Sequence, residues 1–152
     1  MEVANHDKIR QALGLEYEYL LKEQLRNLEI LFKSEVQSRS EGLLRTPDIT
    51  LNYPILIRIN EYPLPACLLA APQGVLNSRG WKEINWIESK AIYGDEYWQR
   101  QNSQQLYSYV NRLGPGCVIY WFGFDSSALH DESITLLSSF PKEVQTLNST
   151  FE

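Results

Sequence analysis

Two charged segments, forty residues apart, constrain this 152-residue chain more than any other feature of its sequence. The segment 86–91 reads Trp-Ile-Glu-Ser-Lys-Ala and predicts a β-strand. Because side chains alternate across a strand, Glu88 and Lys90 are expected on one face. The triplet Thr-Pro-Asp, which ends at Asp48, leads into a second strand pattern. The two patterns together predict that two carboxylates and a lysine converge on one strand end.

The order Pro-Asp, then Glu-x-Lys, is the skeleton of a magnesium-dependent nuclease site. Asp48 and Glu88 offer the oxygen atoms that Mg²⁺ or Mn²⁺ prefers. Lys90 can hold an attacking water or balance negative charge on a phosphate. The backbone carbonyl of Ser89 is a further candidate metal ligand because of its position. The alternative is a turn aspartate, a surface glutamate and a lysine that forms an ordinary ion pair.

The order of helix and strand patterns predicts an α/β fold in which helices flank a mixed central sheet. We expect a helix over 15–28 whose apolar side includes Tyr17, Leu20, Leu21, Leu25 and Leu28. The other predicted elements are strands at 30–32, 48–59 and 86–91, a helix at 97–112, a buried strand at 117–124 and a short apolar segment at 134–137. The predicted domain division is a polar extension over 1–13, a domain over 14–141 with an insertion near 60–80, and a tail over 142–152.

Composition limits the classes of partner and compartment. A net charge of -5 and a pI near 5.1 argue against a broad basic face for nucleic acid. Cys67 and Cys117 lack the CxxC spacing of a zinc site, and we favour two reduced thiols over a disulfide. The N-terminal residues lack the apolar core of a secretory signal, and no apolar stretch of the sequence is long enough to span a membrane. We therefore expect an intracellular protein, in the nucleus or the cytoplasm.

Further motif residues surround the charged segments and carry a family resemblance. They are Glu16-Tyr17-Glu18, Glu35, Gly94-Asp95-Glu96, Asn111-Arg112, Gly114-Pro115-Gly116 and the run 118–124. With the Thr-Pro-Asp triplet and segment 86–91, they make the chain resemble the PD-(D/E)xK, restriction-endonuclease-like superfamily. Within it, the chain is similar to the Thr-Pro-Asp (TPD) motif family, which includes the codanin-interacting nuclease and is related to archaeal Holliday-junction resolvases.

The resemblance implies a restriction-endonuclease-like fold and a Mg²⁺- or Mn²⁺-dependent endonuclease that acts on DNA, including branched or structured DNA. It also implies a helix carboxylate that completes the site, for which Glu18 is preferred and Glu16 competes. Glu35 is a candidate structural carboxylate beside the site. On the second helix, Gln105 is the candidate polar residue facing the site, with Gln104 as the alternative.

Other residues around the second helix could contact nucleic acid. Tyr93, Arg100 and Arg112, together with Tyr97 and Trp98, could stack on bases or touch phosphates, and packing or ordinary surface roles are the alternative. Related resolvases act as dimers, so a homodimer is a further expectation. The competing function class is an interaction module that binds a codanin-like protein. Family members usually carry an N-terminal helical region, which we expect this chain to lack, and the segment between the two carboxylates is longer than expected for the family.

Overall fold

The computed structural model describes residues 2–42, 45–59, 80–128 and 131–146. The predicted insertion near 60–80, Cys67 included, lies almost wholly outside the described residues. In chain order the elements are α1 (Glu2–Asn27), β1 (Phe32–Ser34), α2 (Glu35–Ser40), β2 (Ile49–Arg58), β3 (Trp81–Lys90), α3 (Glu96–Leu113), β4 (Gly116–Tyr120), β5 (Ile134–Leu137) and β6 (Glu143–Gln145).

The strands form one mixed sheet in the order β1-β2-β3-β4-β5, and β6 pairs with the second half of β2. The β1–β2, β2–β3 and β2–β6 pairs are antiparallel, whereas β3–β4 and β4–β5 are parallel. A mixed central sheet flanked by helices is the fold class expected from the sequence, and it is confirmed.

Each face of the sheet has its own apolar core. On the α1 face, Leu21 and Leu25 pack against residues that include Ile87. On the α3 face, Trp86 packs against Tyr109 with ring centroids 5.3 Å apart. Alternation along β3 explains this division, because neighbouring residues of a strand point to opposite faces. Every residue of β4 is buried, as expected for an internal strand with a parallel neighbour on each side.

The N-terminal helix differs from its prediction in length and in its packed side. α1 begins at Glu2 and so runs through the domain boundary expected after residue 13. Leu20 and Leu28 are 45% and 47% exposed, so the apolar side predicted for this helix was too broad. The core needs only the narrow stripe that includes Leu21 and Leu25, because the sheet contacts one side of a helix this long.

Short elements and strand ends account for the other differences. β1 occupies 32–34 rather than 30–32, and Ser34 caps α2 through a hydrogen bond from Gln37 N–H to its hydroxyl. The predicted strand at 117–124 stops at Tyr120, because the chain turns at Gly123 with a φ of 94°. β6 lies within the segment predicted as a tail. Among the described residues, no helix combines the length and the apolar character that crossing a membrane requires.

Candidate active site

Asp48 and Glu88 hold each other in place where β2 begins and β3 ends. The β2–β3 register pairs Ile49 with Ile87, which sets the two carboxylates side by side. The N–H of Asp48 donates a hydrogen bond to Oε1 of Glu88 at 3.0 Å. The N–H of Ser89 donates to Oδ2 of Asp48 at 2.9 Å. Each carboxylate is therefore anchored to the backbone of the other segment, and the strand register fixes the pair.

Burial makes it costly for both carboxylates to be charged at once. Glu88 is only 3% exposed, and its pKa is raised well above the usual value, first by burial and then by the charge of Asp48. Burial also raises the pKa of Asp48, while its hydrogen bonds with Glu88 and from Ser89 N–H act in the opposite direction. Two close carboxylates in such a site share a proton unless a cation replaces it. Of the two carboxyl groups, Glu88 has the more strongly raised pKa.

Lys90 supplies the positive charge nearest to this pair. Lys90 lies two residues after Glu88 on β3, so the two side chains are on the same face of the strand. Its charge lowers the pKa of both carboxyl groups. Within the described residues, Lys90 forms no ion pair. The ammonium group thus acts on the site through its charge and, within the described residues, is not closed into a salt bridge.

Tyr109 connects α3 to the carboxylate pair. Its hydroxyl accepts a hydrogen bond from Gln105 Nε2 at 2.6 Å and lies 3.2 Å from the carbonyl oxygen of Thr46 and 3.4 Å from Oε2 of Glu88. Burial, and then the charge of Glu88, raises the pKa of this hydroxyl, so it remains a proton donor. Gln105, rather than the exposed Gln104, faces the site, and it acts through Tyr109.

Glu18 lies near the pair and is engaged elsewhere. Its charge helps to raise the pKa of Asp48, so it is within electrostatic range. Its carboxylate forms an ion pair with Lys22 at 3.2 Å, and both side chains are largely buried. Glu16, the competing helix carboxylate, is exposed. The structure therefore places Glu18 as a neighbour of the site.

Glu35 supports the strand that carries Asp48. Its N–H donates to the carbonyl oxygen of Asp48 at 3.1 Å, while its carboxylate pairs with Arg39 at 2.5 Å. Its charge also contributes to the raised pKa of Tyr109. Its contact with the site is therefore made by its backbone, and its side chain acts only at longer range.

The carboxylate oxygens of Asp48 and Glu88 suit a hard cation that takes only one or two of its ligands from the protein. In the described ranges, no three His, Cys, Asp or Glu side chains are grouped closely enough to hold a metal ion. Mg²⁺ keeps several of its waters and is commonly bound by one or two carboxylates together with substrate phosphates. Asp48 and Glu88 match that pattern, whereas a structural zinc or calcium site needs more protein ligands.

Of the residues expected to contact nucleic acid, the structure brings some to the site and leaves others away from it. Arg112 lies beside the site, where it donates hydrogen bonds to the carbonyl oxygens of Arg45 and Ser108 and its guanidinium lies 5.9 Å from the centre of the Tyr109 ring. Tyr93 is 52% exposed. Arg100 lies nine residues before Tyr109 on α3, about half a turn around the helix, and pairs with Glu96. Arg100 is therefore not brought to the site.

Two residues of the site were missed by the sequence reasoning. Tyr109 lies within the helix predicted at 97–112, and no role at the site was expected for it, although its position four residues after Gln105 puts both on one side of the helix. Trp121 was read as part of a strand, yet its indole N–H donates to the Ser89 hydroxyl at 2.9 Å. No local pattern indicates that second contact, because it joins the turn after β4 to β3.

Comparisons with known proteins place the chain in a family. The family described as "Protein of unknown function TPD sequence-motif" matches residues 1–140. Proteins named CDAN1-interacting nuclease 1 from Danio rerio and Homo sapiens are 36% and 35% identical over 144 residues, which is 93% of this chain. An uncharacterized protein of Acanthamoeba polyphaga mimivirus is 30% identical over 128 residues, which is 81% of this chain.

These alignments cover only part of each relative. They span 41%, 43% and 39% of the zebrafish, human and viral proteins, so the chain spans about two fifths of the length of the relatives that it matches. No solved structure matches the chain significantly.

Glu88→Gln should stabilise the metal-free protein at neutral pH and leave its stability unchanged below about pH 4.5, the usual pKa of this group. Because the folded-state pKa is raised, the stability that the protonated carboxyl contributes is lost as pH rises through that pKa. Each unit of pKa difference corresponds to about 1.4 kcal/mol, and about 1 kcal/mol moves Tm by roughly 2–4 °C at this size. The Tm of the variant and of the parent, measured by thermal unfolding in a chelator across this pH range, tests the prediction.

The matched control for that series is Glu83→Gln, an exposed position on the same strand. Its Tm should follow that of the parent at every pH. A Tm difference between Glu88→Gln and the parent that does not grow with pH would contradict the raised pKa of Glu88.

Tyr109→Phe should lower the free energy of unfolding by about 1–3 kcal/mol, because the Gln105 amide and the Thr46 carbonyl lose their buried partner. The ring itself, and its contact with Trp86, is retained. Urea unfolding should show a lower midpoint with an unchanged slope. Tyr107→Phe, at a 41% exposed position of the same helix, is the control and should behave like the parent. Equal midpoints for both variants would remove Tyr109 from the support of the site.

Proposed function

We propose, from the premise that this chain belongs to the TPD sequence-motif family, that it is a metal-dependent endonuclease that hydrolyses phosphodiester bonds in DNA. Branched or otherwise structured DNA is the candidate substrate. The observation that carries the proposal is the buried Asp48–Glu88 pair, in which each carboxylate is bound to the backbone of the other segment. The names of the relatives from Danio rerio and Homo sapiens, which include the word nuclease, support the same reading.

Asp48 and Glu88 would hold Mg²⁺ or Mn²⁺. A bound cation of this kind would polarise phosphate oxygens and lower the pKa of a coordinated water, which are the two needs of phosphodiester hydrolysis. The order of Asp48, directly before β2, and Glu88 and Lys90 on β3 supports placing the chain in the PD-(D/E)xK superfamily. The carbonyl of Ser89 remains a proposed third ligand, because its N–H already holds Asp48 from the same strand end.

The remaining side chains would orient the two carboxylates and offset negative charge on the phosphate. Lys90, which is not closed into an ion pair within the described residues, would hold the attacking water or offset charge on the phosphate. The Tyr109 hydroxyl fixes one oxygen of Glu88, and Gln105 fixes that hydroxyl. Such supporting hydrogen bonds keep ligating carboxylates in position.

Neighbouring groups would set the approach of the substrate. Glu18, within electrostatic range of Asp48, would assist by adding negative charge that strengthens cation binding. Arg112, beside Tyr109, would contact a phosphate flanking the cleaved one. Because the whole chain is acidic, with a net charge of -5, affinity for DNA would depend on the bound cation and on such local contacts. A homodimer acting on two-fold substrates belongs to the same proposal.

A second candidate is an interaction module that binds a CDAN1-like, that is codanin-like, protein with little catalysis. The printed name of the relatives, CDAN1-interacting nuclease 1, favours it. The described residues also lack a third carboxylate grouped with the pair. Retention of two adjacent buried carboxylates favours the enzyme, because such a pair destabilises a fold that does not use it.

Asp48→Asn should abolish cleavage and leave the metal-free fold intact or slightly more stable, because it removes one of two repelling carboxylates. Labelled single-stranded, duplex, flap and four-way-junction DNA, each incubated with Mg²⁺ or Mn²⁺, measure the activity. Asp7→Asn changes an exposed aspartate of α1 and is the matched control. Cleavage by the parent and the control but not by Asp48→Asn is the expected result.

Two outcomes would contradict the proposal. Strong destabilisation of the metal-free protein by Asp48→Asn would make Asp48 a structural residue. A folded parent that cuts none of these substrates would favour the interaction module.

A further inference from the structure

An exposed group of aromatic rings lies at the edge of the candidate site. The ring of Tyr17 lies 5.0 Å from that of Trp121 and meets that of Phe122 edge-on at 5.6 Å. The ring of Tyr93 lies against Gly123, the residue after Phe122, where an added Cβ would be 3.4 Å from it. Phe122 is 48% exposed and Tyr93 is 52% exposed. We call these four residues, Tyr17, Tyr93, Trp121 and Phe122, the aromatic shelf.

The aromatic shelf is attached directly to the strand that carries the site. The N–H of Trp121 donates to the carbonyl oxygen of Lys90 at 3.0 Å, and its indole N–H donates to the hydroxyl of Ser89 at 2.9 Å. Ser89 is also the residue whose N–H holds Asp48. A ligand that covers the shelf would therefore lie at the end of β3, on the α1 side of the strand, with Glu88 on the α3 side of the same strand end.

Backbone hydrogen bonds hold the shelf in one shape. The N–H of Gly94 donates to the carbonyl oxygen of Gly123 at 2.8 Å, and the N–H of Asp125 donates to the carbonyl oxygen of Gly94 at 2.9 Å. The buried amide of Gln99 donates to the carbonyl oxygens of both Gly94 and Asp125, at 2.8 and 2.9 Å. These bonds join the segment that carries Tyr93 to the turn that carries Phe122. A surface fixed in advance binds a flat partner without the cost of ordering a loop.

We propose that the aromatic shelf stacks an unpaired nucleobase beside the phosphate that is cleaved, so that the substrate class is DNA with a single-stranded segment. This inference rests on the proposed nuclease function. Aromatic side chains bind bases by stacking on their faces, whatever the sequence. Bases inside a duplex already stack on each other, so only unpaired bases can use this surface.

The charges around the shelf fix how such a strand lies. Asp95 follows Gly94, and Asp125 N–H donates to the carbonyl oxygen of Gly94; their carboxylates accept hydrogen bonds at the surface, from Trp98 N–H and from Ser127 respectively. Phosphates are repelled from that side and attracted by Lys90, which adjoins Trp121. The base is therefore directed to the rings and the backbone to the catalytic side.

Binding of a fluorescein-labelled oligothymidylate, measured by anisotropy in Mg²⁺ and again in a chelator, tests the shelf, and the chelator series separates binding from cleavage. Phe122→Ala and Tyr93→Ala should each weaken binding by about 5- to 100-fold, the range expected for one stacked base. Phe122→Trp and Tyr93→Phe retain a ring and should restore it. Tyr53→Ala, at a 60% exposed tyrosine on β2, is the matched control and should bind like the parent.

A second probe separates stacking from general attraction to the strand. An oligonucleotide with a 2-aminopurine base should lose fluorescence on binding to the parent and not on binding to the alanine variants. Duplex DNA should bind the parent and Phe122→Ala equally. Loss of duplex affinity in the folded alanine variants to the same extent as loss of oligothymidylate affinity would overturn the proposal.

The outcomes for the shelf and for the nuclease function are distinct. If the shelf variants bind and cleave single-stranded and duplex DNA as the parent does, the shelf proposal fails while the nuclease function stands. If the parent binds oligothymidylate through the shelf but cuts no DNA, the shelf stands and the nuclease function fails. If the parent binds no DNA and the alanine variants change nothing, the shelf proposal is overturned.

Discussion

The reciprocal anchoring of Asp48 and Glu88 is the interaction on which the rest of the site depends. Two hydrogen bonds from backbone N–H groups, at 3.0 and 2.9 Å, tie the start of β2 to the end of β3. Both bonds exist only in one strand register, because a slip by one residue would turn Glu88 to the opposite face. The apolar cores on both faces of the sheet select that register by burying Trp86 and Ile87 on opposite sides. Stability of the sheet and geometry of the site therefore have a common origin.

The helix α3 extends this dependence to the proposed chemistry. Tyr109 is buried by its contact with Trp86, and from that position its hydroxyl reaches Glu88 and Thr46. The same burial that fixes Tyr109 removes water from Glu88 and raises its pKa. A site held in this way favours one excess positive charge, which a proton supplies in the metal-free protein and which a cation would supply in the proposed enzyme.

Much of the fold was predictable, because the hydrophobic period of a long segment indicates whether it forms a helix or a strand. The helix at 97–112, the strand at 86–91 and the two-residue alternation that separates Glu88 from Ile87 were recovered from periodicity. The exposure of Leu20 and Leu28 could not be recovered, because it depends on which side of α1 meets the sheet. The link from Trp121 to Ser89 spans 32 residues and joins two elements, so no local pattern contains it. For the site, the sequence indicated which charged residues matter, and the pairing of Glu18 with Lys22, four residues later on the same helix, follows from local spacing that the sequence analysis did not use.

The central claim is that the Asp48–Glu88 pair binds a divalent cation, and thermal unfolding with and without Mn²⁺ tests it most directly. A cation that binds only the folded state raises stability by about 2.7 kcal/mol at 100 times its Kd, which is roughly 5–10 °C in Tm for a chain of this size. The account predicts such a shift for the parent at neutral pH and none for Asp48→Asn. Equal shifts in the two proteins, or no shift in the parent, would contradict it.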